Sequence, residues 1–243
     1  MKTKSSENPI KLISFDLDDT LWDGQKTIHT AQQAMQNWLT RYHPLIAEQA
    51  LNGRYLELRK EITNDHPELS YNLTFTRKEI LRRLFTENIH TKDKALFHAE
   101  SAFNAFFEAR NQVFYFDDAL KVIGELKTDF QIAALTNGNA DINATGLKPY
   151  IDYFYSAELI GAAKPDTRMF KVLLKDAGLK PEECIHIGDH PEHDIISAQS
   201  MGMHTIWLNA QEKKWPGNSG PKWEVQTFPQ LQQVIYKICL HCT

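Results

Sequence analysis

Cysteine is scarce here, three in 243 residues, and Cys184, Cys239 and Cys242 are too unevenly spaced for a disulfide framework. A reducing compartment is expected. Basic residues are not in excess either: 27 lysines and arginines face 31 acids, for a formal charge of -4, which argues against a nucleic-acid partner. No apolar run approaches the roughly 20 residues of a membrane-spanning helix. The start, Met1 to Pro9, is polar and lacks the apolar core of a signal peptide. Together these shortages predict a cytoplasmic protein with no membrane partner. Internal repeats and low-complexity tracts are missing as well. The chain is long enough for one large domain, or for a domain carrying an inserted module.

The most informative stretch is Lys11-Leu12-Ile13-Ser14-Phe15-Asp16-Leu17-Asp18-Asp19-Thr20-Leu21. An apolar, β-branched run ending in three carboxylates within four residues reads as a buried strand that delivers acids to the rim of a sheet. Residues i and i+2 of an extended chain point the same way, so Asp16 and Asp18 address one centre, whereas Asp19 reads as turn chemistry. An acidic turn capping a strand has the same local pattern, and the rest of the chain decides between the two.

Trp22 to Thr27 is polar and contains Gly24, and it breaks the pattern. Four amphipathic stripes follow: Ala31 to Tyr42 with Pro44 as a stop; Leu51, Tyr55, Leu58 and Ile62; Ile80 to Phe85 behind a Thr76/Glu79 capping box; and Leu96 to Arg110. They predict an all-helical four-helix bundle. Helix and strand then alternate. Strands are expected at Phe130–Thr136, Tyr153–Ser156, Cys184–Ile187 and His204–Leu208. Helices are expected around Ile123, after Pro165 up to Gly178, and from Asp194 to Met201. A loop should cover Gln211–Pro221, and a last helix should carry Leu231 to Ile238. The class is α/β, a doubly wound, Rossmann-like parallel sheet whose ligands sit outside the carboxyl ends of its strands. Residues 1–24 and 111–243 should form this core, and 25–110 an inserted helical cap that closes over the rim as a lid.

Three predicted strand ends carry Asp16, Thr136 and Asp189. Transfer of a phosphoryl group needs a nucleophile, neutralised oxygens, a proton donor for the leaving group and exclusion of water. Asp16 can attack phosphorus. Asp18 can protonate the leaving alcohol and then deprotonate water. Thr136 has a hydroxyl, and Asn137 and Gly138 have backbone N–H groups for phosphate oxygens. Lys164 places an ammonium beside the nucleophile. Asp189 and Asp194 add carboxylates that one lysine does not balance, and hard oxygen ligands favour Mg²⁺. Asp16, the Asp18 carbonyl and Asp189 are the expected ligands, with Asp194 orienting a metal-bound water or Lys164.

These residues resemble the haloacid dehalogenase superfamily phosphatases. Asp16-Leu17-Asp18-Asp19-Thr20 matches that family's first motif, Leu135-Thr136-Asn137-Gly138 its second, Lys164-Pro165 its third, and Gly188-Asp189 with Asp194 its fourth, in the required order. The resemblance implies Asp16 as nucleophile, Asp18 as general acid and base, Thr136 and Lys164 as phosphate and charge handlers, Asp189 as metal ligand, and a small phosphorylated metabolite as substrate. Tyr42-His43-Pro44, Thr136 to Ala140 and His186 to Asp189 further resemble the bacterial branch acting on flavin mononucleotide and the phosphorylated ribitylaminouracil precursor of riboflavin. His190 and Ile196-Ser197-Ala198 depart from that branch's more usual residues. A 2-haloacid dehalogenase is the runner-up; it uses the first Asp, needs no metal and typically lacks the second. A sugar phosphomutase needs the same groups as a phosphatase, and a non-enzymatic binding module would have lost one of them. Trp22, beside the acids, is a candidate for stacking on a planar substrate, while Trp38 and Tyr55 on helical stripes read as core. Cys239, His241 and Cys242 lack a fourth zinc ligand and read as a non-functional tail.

Overall fold

The computed structural model describes residues 9–217 and 219–241. The polar start before Pro9 and Cys242 of the tail lie outside the described residues. Tertiary contacts divide the chain into two compact units. One comprises the chain up to Gly24, Tyr115–Gly138 and Gly146 onward; the other comprises Gln25–Phe114 with Asn139–Thr145.

The first unit is built on a parallel sheet of six strands: β1 (Leu12–Phe15), β2 (Gln131–Thr136), β3 (Tyr153–Ser156), β4 (Cys184–Gly188), β5 (His204–Leu208) and β6 (Glu224–Val225). Their spatial order is β3-β2-β1-β4-β5-β6. β1 is therefore central, with Ile13 in register with Ile132 on one side and Ile185 on the other. The chain winds outward from β1 in one direction through β2 and β3, then restarts at β4 on the other side. That reversal falls between β1 and β4, and in sheets of this kind ligands bind beyond the carboxyl ends of the strands at such a switch point. Leu12, Ile13, Phe15, Ile185 and Ile187 are fully buried, as strands covered on both faces require.

In the second unit, helices α1 (Gly24–Tyr42), α2 (Pro44–Gln49), α3 (Tyr55–Asp65), α4 (Leu73–Asn88) and α5 (Lys92–Arg110) enclose a core of Met35, Leu39, Leu58, Ile80, Phe85 and Phe106. Trp38 and Tyr55 pack against it, partly buried. Five helices stand where four were expected, and individual elements depart from expectation as well. α1 ends at Tyr42, ahead of Pro44 as expected, but Pro44 also starts a further helix, α2, since proline is well suited to a first helical position. The chain bends at Gly53, φ 106°, so Leu51 leaves the expected stripe and is exposed. α4 begins one turn early because Asn72 is its cap, its side chain accepting from the Phe75 N–H at 2.8 Å. Thr76 thus lies inside the helix, and Glu79 pairs with Arg82 and Arg83 instead of closing a capping box.

Around the sheet lie α6 (Ala119–Leu126), α7 (Ala157–Ile160), α8 (Arg168–Ala177), α9 (Ser197–Ser200) and α10 (Phe228–His241). Pro165 does not open α8, which begins three residues later; Gly178 caps that helix at φ 66°, as expected. A helical segment at Pro191–Ile196 runs into α9. β6 and α7 are too short for a periodicity to reveal. Among the described residues no helix is long and apolar enough to cross a membrane.

Candidate active site

Asp16 follows β1 directly, and its N–H donates to the Ile187 carbonyl at 2.9 Å, extending the ladder to the rim. The chain then turns sharply, because the Leu17 carbonyl accepts from the Leu21 N–H at 2.7 Å. Asp19 sits in that turn at φ 61°, and its carboxylate accepts from the Gly24 N–H at 3.0 Å. Asp18 is half-buried, and its Oδ1 accepts from the Trp22 indole N–H at 2.8 Å. Trp22 is fully buried, edge-on to Tyr115. The stacking expected of Trp22 is thereby corrected: its ring is core, and its polar edge positions Asp18.

Lys164 joins the strand ends. Its side chain is 1% exposed, and its ammonium donates to Asp16 Oδ1 at 2.7 Å, the Leu135 carbonyl at 2.8 Å and Asp194 Oδ1 at 2.6 Å. An ammonium has three N–H donors and all are engaged. The direct phosphate contact expected of Lys164 therefore gives way to a fixed positive charge beside Asp16. The loop carrying it is pinned by Asn137, whose Oδ1 accepts from the Lys164 N–H at 2.7 Å while its Nδ2 donates to the Lys164 carbonyl at 2.8 Å. With that side chain engaged, Asn137 has only its backbone to offer a phosphate. Thr136 Oγ1 accepts from the Gly138 N–H at 2.9 Å, which leaves the Thr136 hydroxyl proton for another acceptor.

Asp194 is held from three directions. Besides Lys164, His186 Nε2 lies 3.3 Å from Oδ1, and the His190 N–H donates to Oδ2 at 3.0 Å. His186 is fully buried, and burial holds its imidazole below the usual histidine range. It is neutral, and since an ionised Asp194 only accepts, the proton is on Nε2; Nδ1 then accepts from Ser14 Oγ at 2.8 Å. Ser14 and His186 are register partners on β1 and β4. Sequence reasoning gave neither a role, although a serine and a histidine inside wholly buried strands were a usable signal. Lys213 is a second omission: its ammonium lies 3.0 Å from Asp189 Oδ2. His190 caps the helical segment after it, its Nδ1 accepting from the N–H groups of Glu192 and His193.

Carboxylate oxygens of Asp16, Asp189 and Asp194 come within 4.8 Å of one another. At such separations like charges repel by roughly 4 kcal/mol at an effective dielectric near 20. Burial, reinforced by Asp194 and Asp189 against the pull of Lys164, pushes Asp16 well above the usual carboxylate range. Burial also raises Asp189, whereas Lys164 and His186 outweigh burial and hold Asp194 below it. The donor set, all hard oxygens with more negative than positive charge, fits a divalent cation such as Mg²⁺. The Asp18 carboxylate is outside this cluster, as its expected carbonyl ligation allows.

The sequence model of the haloacid dehalogenase-like hydrolases matches residues 10–202. The chain is 24% identical over 223 residues to the Escherichia coli 5-amino-6-(5-phospho-D-ribitylamino)uracil phosphatase YigB, covering 92% of each. It is 31% identical over 207 residues to a glyceraldehyde 3-phosphate phosphatase of Pyrococcus furiosus, covering 82% of this chain and 80% of that one. The crystal structure of a 2-haloacid dehalogenase from Pseudomonas syringae superposes with a TM-score of 0.87 at 32% identity, over 94% of this chain and 99% of the other. With the family's sequence model matching most of its length, the chain belongs to the haloacid dehalogenase-like hydrolase family.

Proposed function

We propose that this hydrolase is a Mg²⁺-dependent phosphomonoesterase that works through an aspartyl-phosphate on Asp16. The observation that carries the reading is the buried ammonium of Lys164 between Asp16 and Asp194 at the strand ends, with Asp189 in the same carboxylate cluster. Asp16 attacks phosphorus as the bond to the leaving alkoxide breaks, and Asp18, held by Trp22, gives that alkoxide its proton. Asp18 then takes a proton from water, which attacks the acyl phosphate and releases inorganic phosphate and the free Asp16 carboxylate. Thr136 and the backbone beside it bind the phosphoryl oxygens, and Lys164 keeps a positive charge against the nucleophile. When bound by Asp16, Asp189 and the Asp18 carbonyl, Mg²⁺ supplies charge neutralisation on the phosphoryl oxygens.

The similarity to the E. coli phosphoribitylaminouracil phosphatase across most of both chains supports a phosphorylated ribityl compound, flavin mononucleotide or its precursor, as substrate. The inserted residues 25–110 are proposed as the cap that selects it. The likeness to a 2-haloacid dehalogenase favours a second reading, but a departing halide needs no proton, so Asp18 would have no task there.

The test is phosphate release from flavin mononucleotide, sugar phosphates, nucleotides and p-nitrophenyl phosphate, with Mg²⁺ or EDTA, alongside chloride release from 2-chloropropionate. Metal-dependent phosphate release that Asp16→Asn abolishes is the expected result. Chloride release without phosphate release would replace this reading with the dehalogenase one.

A further inference from the structure

The acids of the helical unit are unevenly shared among its arginines. Glu57, Glu61 and Glu87 pair with Arg54, and Asp65 and Glu79 with Arg82 and Arg83. Among the described residues no carboxylate comes within ion-pairing distance of Arg77 or Arg59. Arg77 nonetheless has a half-buried side chain. Its guanidinium lies over the Phe106 ring, 3.6 Å from the centroid, and hydrogen-bonds to the Tyr55 hydroxyl, while its Nε is buried without an acceptor. Arg59 and Arg110 are close enough to oppose its charge. A guanidinium does not escape this by losing its proton, so a half-buried guanidinium opposed by like charges and without a carboxylate calls for an anion.

A place for one adjoins it. A cavity of about 80 Å³ is lined by Arg77, Arg59, Tyr55, Gln32 and Thr76, closed by Leu73 and Ile80, with no acid on its walls. A water molecule takes about 30 Å³, so the space admits one small oxyanion. Arg59 and Gln32 are exposed and bring further N–H donors, and a planar guanidinium is the side chain best matched to carboxylate or phosphate oxygens.

We propose that this cavity is an oxyanion-binding site, with Arg77 and Arg59 as its cationic ligands. Its ligand chemistry is a carboxylate or phosphate, supplied either by a second anionic group of the substrate or by a free anion acting as effector. The first source builds on the phosphatase reading above; binding itself does not depend on it.

Sulfate is the probe, titrated calorimetrically into the full chain carrying Thr136→Val, so that binding at the phosphate loop is suppressed. Arg77→Gln added to that background should weaken sulfate binding at least tenfold, and Arg77→Lys should restore part of it. Arg59→Gln, at an exposed position, gives the same readout should Arg77→Gln fail to fold by circular dichroism. The source is read from kinetics on 4-carboxyphenyl phosphate and p-nitrophenyl phosphate. If Arg77→Gln raises KM for the carboxylated ester at least tenfold more than for the other, the anion is the substrate's own. If the two esters respond alike, and sulfate alters kcat of the parent but not of Arg77→Gln, the anion is an effector. Sulfate affinity unchanged by Arg77→Gln and Arg59→Gln overturns the site. Absence of turnover on either ester would count against the phosphatase reading alone, because the sulfate titration still decides.

Discussion

Asp194 shows how much of the site depends on single atoms. Its carboxylate is held by Lys164, His186 and the His190 N–H, and it approaches Gly188 so closely that a Cβ there would lie 2.3 Å from Asp194 Cγ. Only glycine leaves that space. Gly188→Ala should push Asp194 aside and release Lys164 from Asp16. Misplacement of about 1 Å costs on the order of 100-fold in rate, so kcat on p-nitrophenyl phosphate is expected to fall by about that factor while far-ultraviolet circular dichroism stays the same. Turnover within twofold of the parent would show that the position of Asp194 does not matter. Gly188-Asp189 was legible as a motif, but the reason for the glycine was not, since it depends on a side chain six residues away.

At the scale of elements, the start of β3 is locked to β2 by Asp152. Its N–H donates to the Ile132 carbonyl, and its carboxylate accepts from the Ile132 N–H at 2.8 Å and from Lys127 at 2.7 Å. Burial pushes this carboxyl up, but the Ile132 N–H and Lys127 together outweigh it and hold it below the usual aspartate range. A depressed folded-state value means that the stabilisation is complete above the unfolded value, about 3.9, and is lost as pH falls through the folded one. Asp152→Asn should therefore cost about 0.5–1 kcal/mol at pH 7, a figure that allows for solvent screening. The cost should shrink below about pH 3.9 in urea melts run across that range. An equal cost at every pH would mean that charge plays no part. The helices tell a related story about legibility. Their stripes were readable from apolar spacing, but Asn72 and Thr76 are both plausible caps, and Pro44 serves equally as a stop or a start. Packing of α4 against its neighbours chose between them.

At the scale of the molecule, the sheet gathers Asp16, Asp189 and Asp194, with Lys164 between the first and the last and Lys213 beside Asp189, a balance of three acids against two ammoniums. A divalent cation relieves it, and binding to the native state alone stabilises by about 2.7 kcal/mol at 100 times Kd. For a chain of this size that corresponds to a rise of roughly 5 °C or more in Tm. Mg²⁺ is expected to produce this rise, EDTA to reverse it, and Asp189→Asn to remove it, all in a thermal melt that needs no substrate. No shift at saturating Mg²⁺ would eliminate the ion site.

Periodicity, strand-end acids and their order along the chain were enough to establish an α/β parallel sheet and to propose Asp16, Asp18, Thr136, Lys164, Asp189 and Asp194 as its site. Such signals are local: alternation and 3.6-residue spacing reflect which face is buried, and acids at the end of an apolar run mark where a strand leaves the core. Only the tertiary structure decided which donors each of these residues has left. It turned Trp22 into a brace for Asp18, engaged all three protons of Lys164, and recruited Ser14 and His186 as a buried support for Asp194. It also left Arg77 beside a cavity without a carboxylate. Hydrogen-bond capacity is shared among groups more than a hundred residues apart, as with Asp16 and Lys164, and no spacing along the chain encodes that allocation.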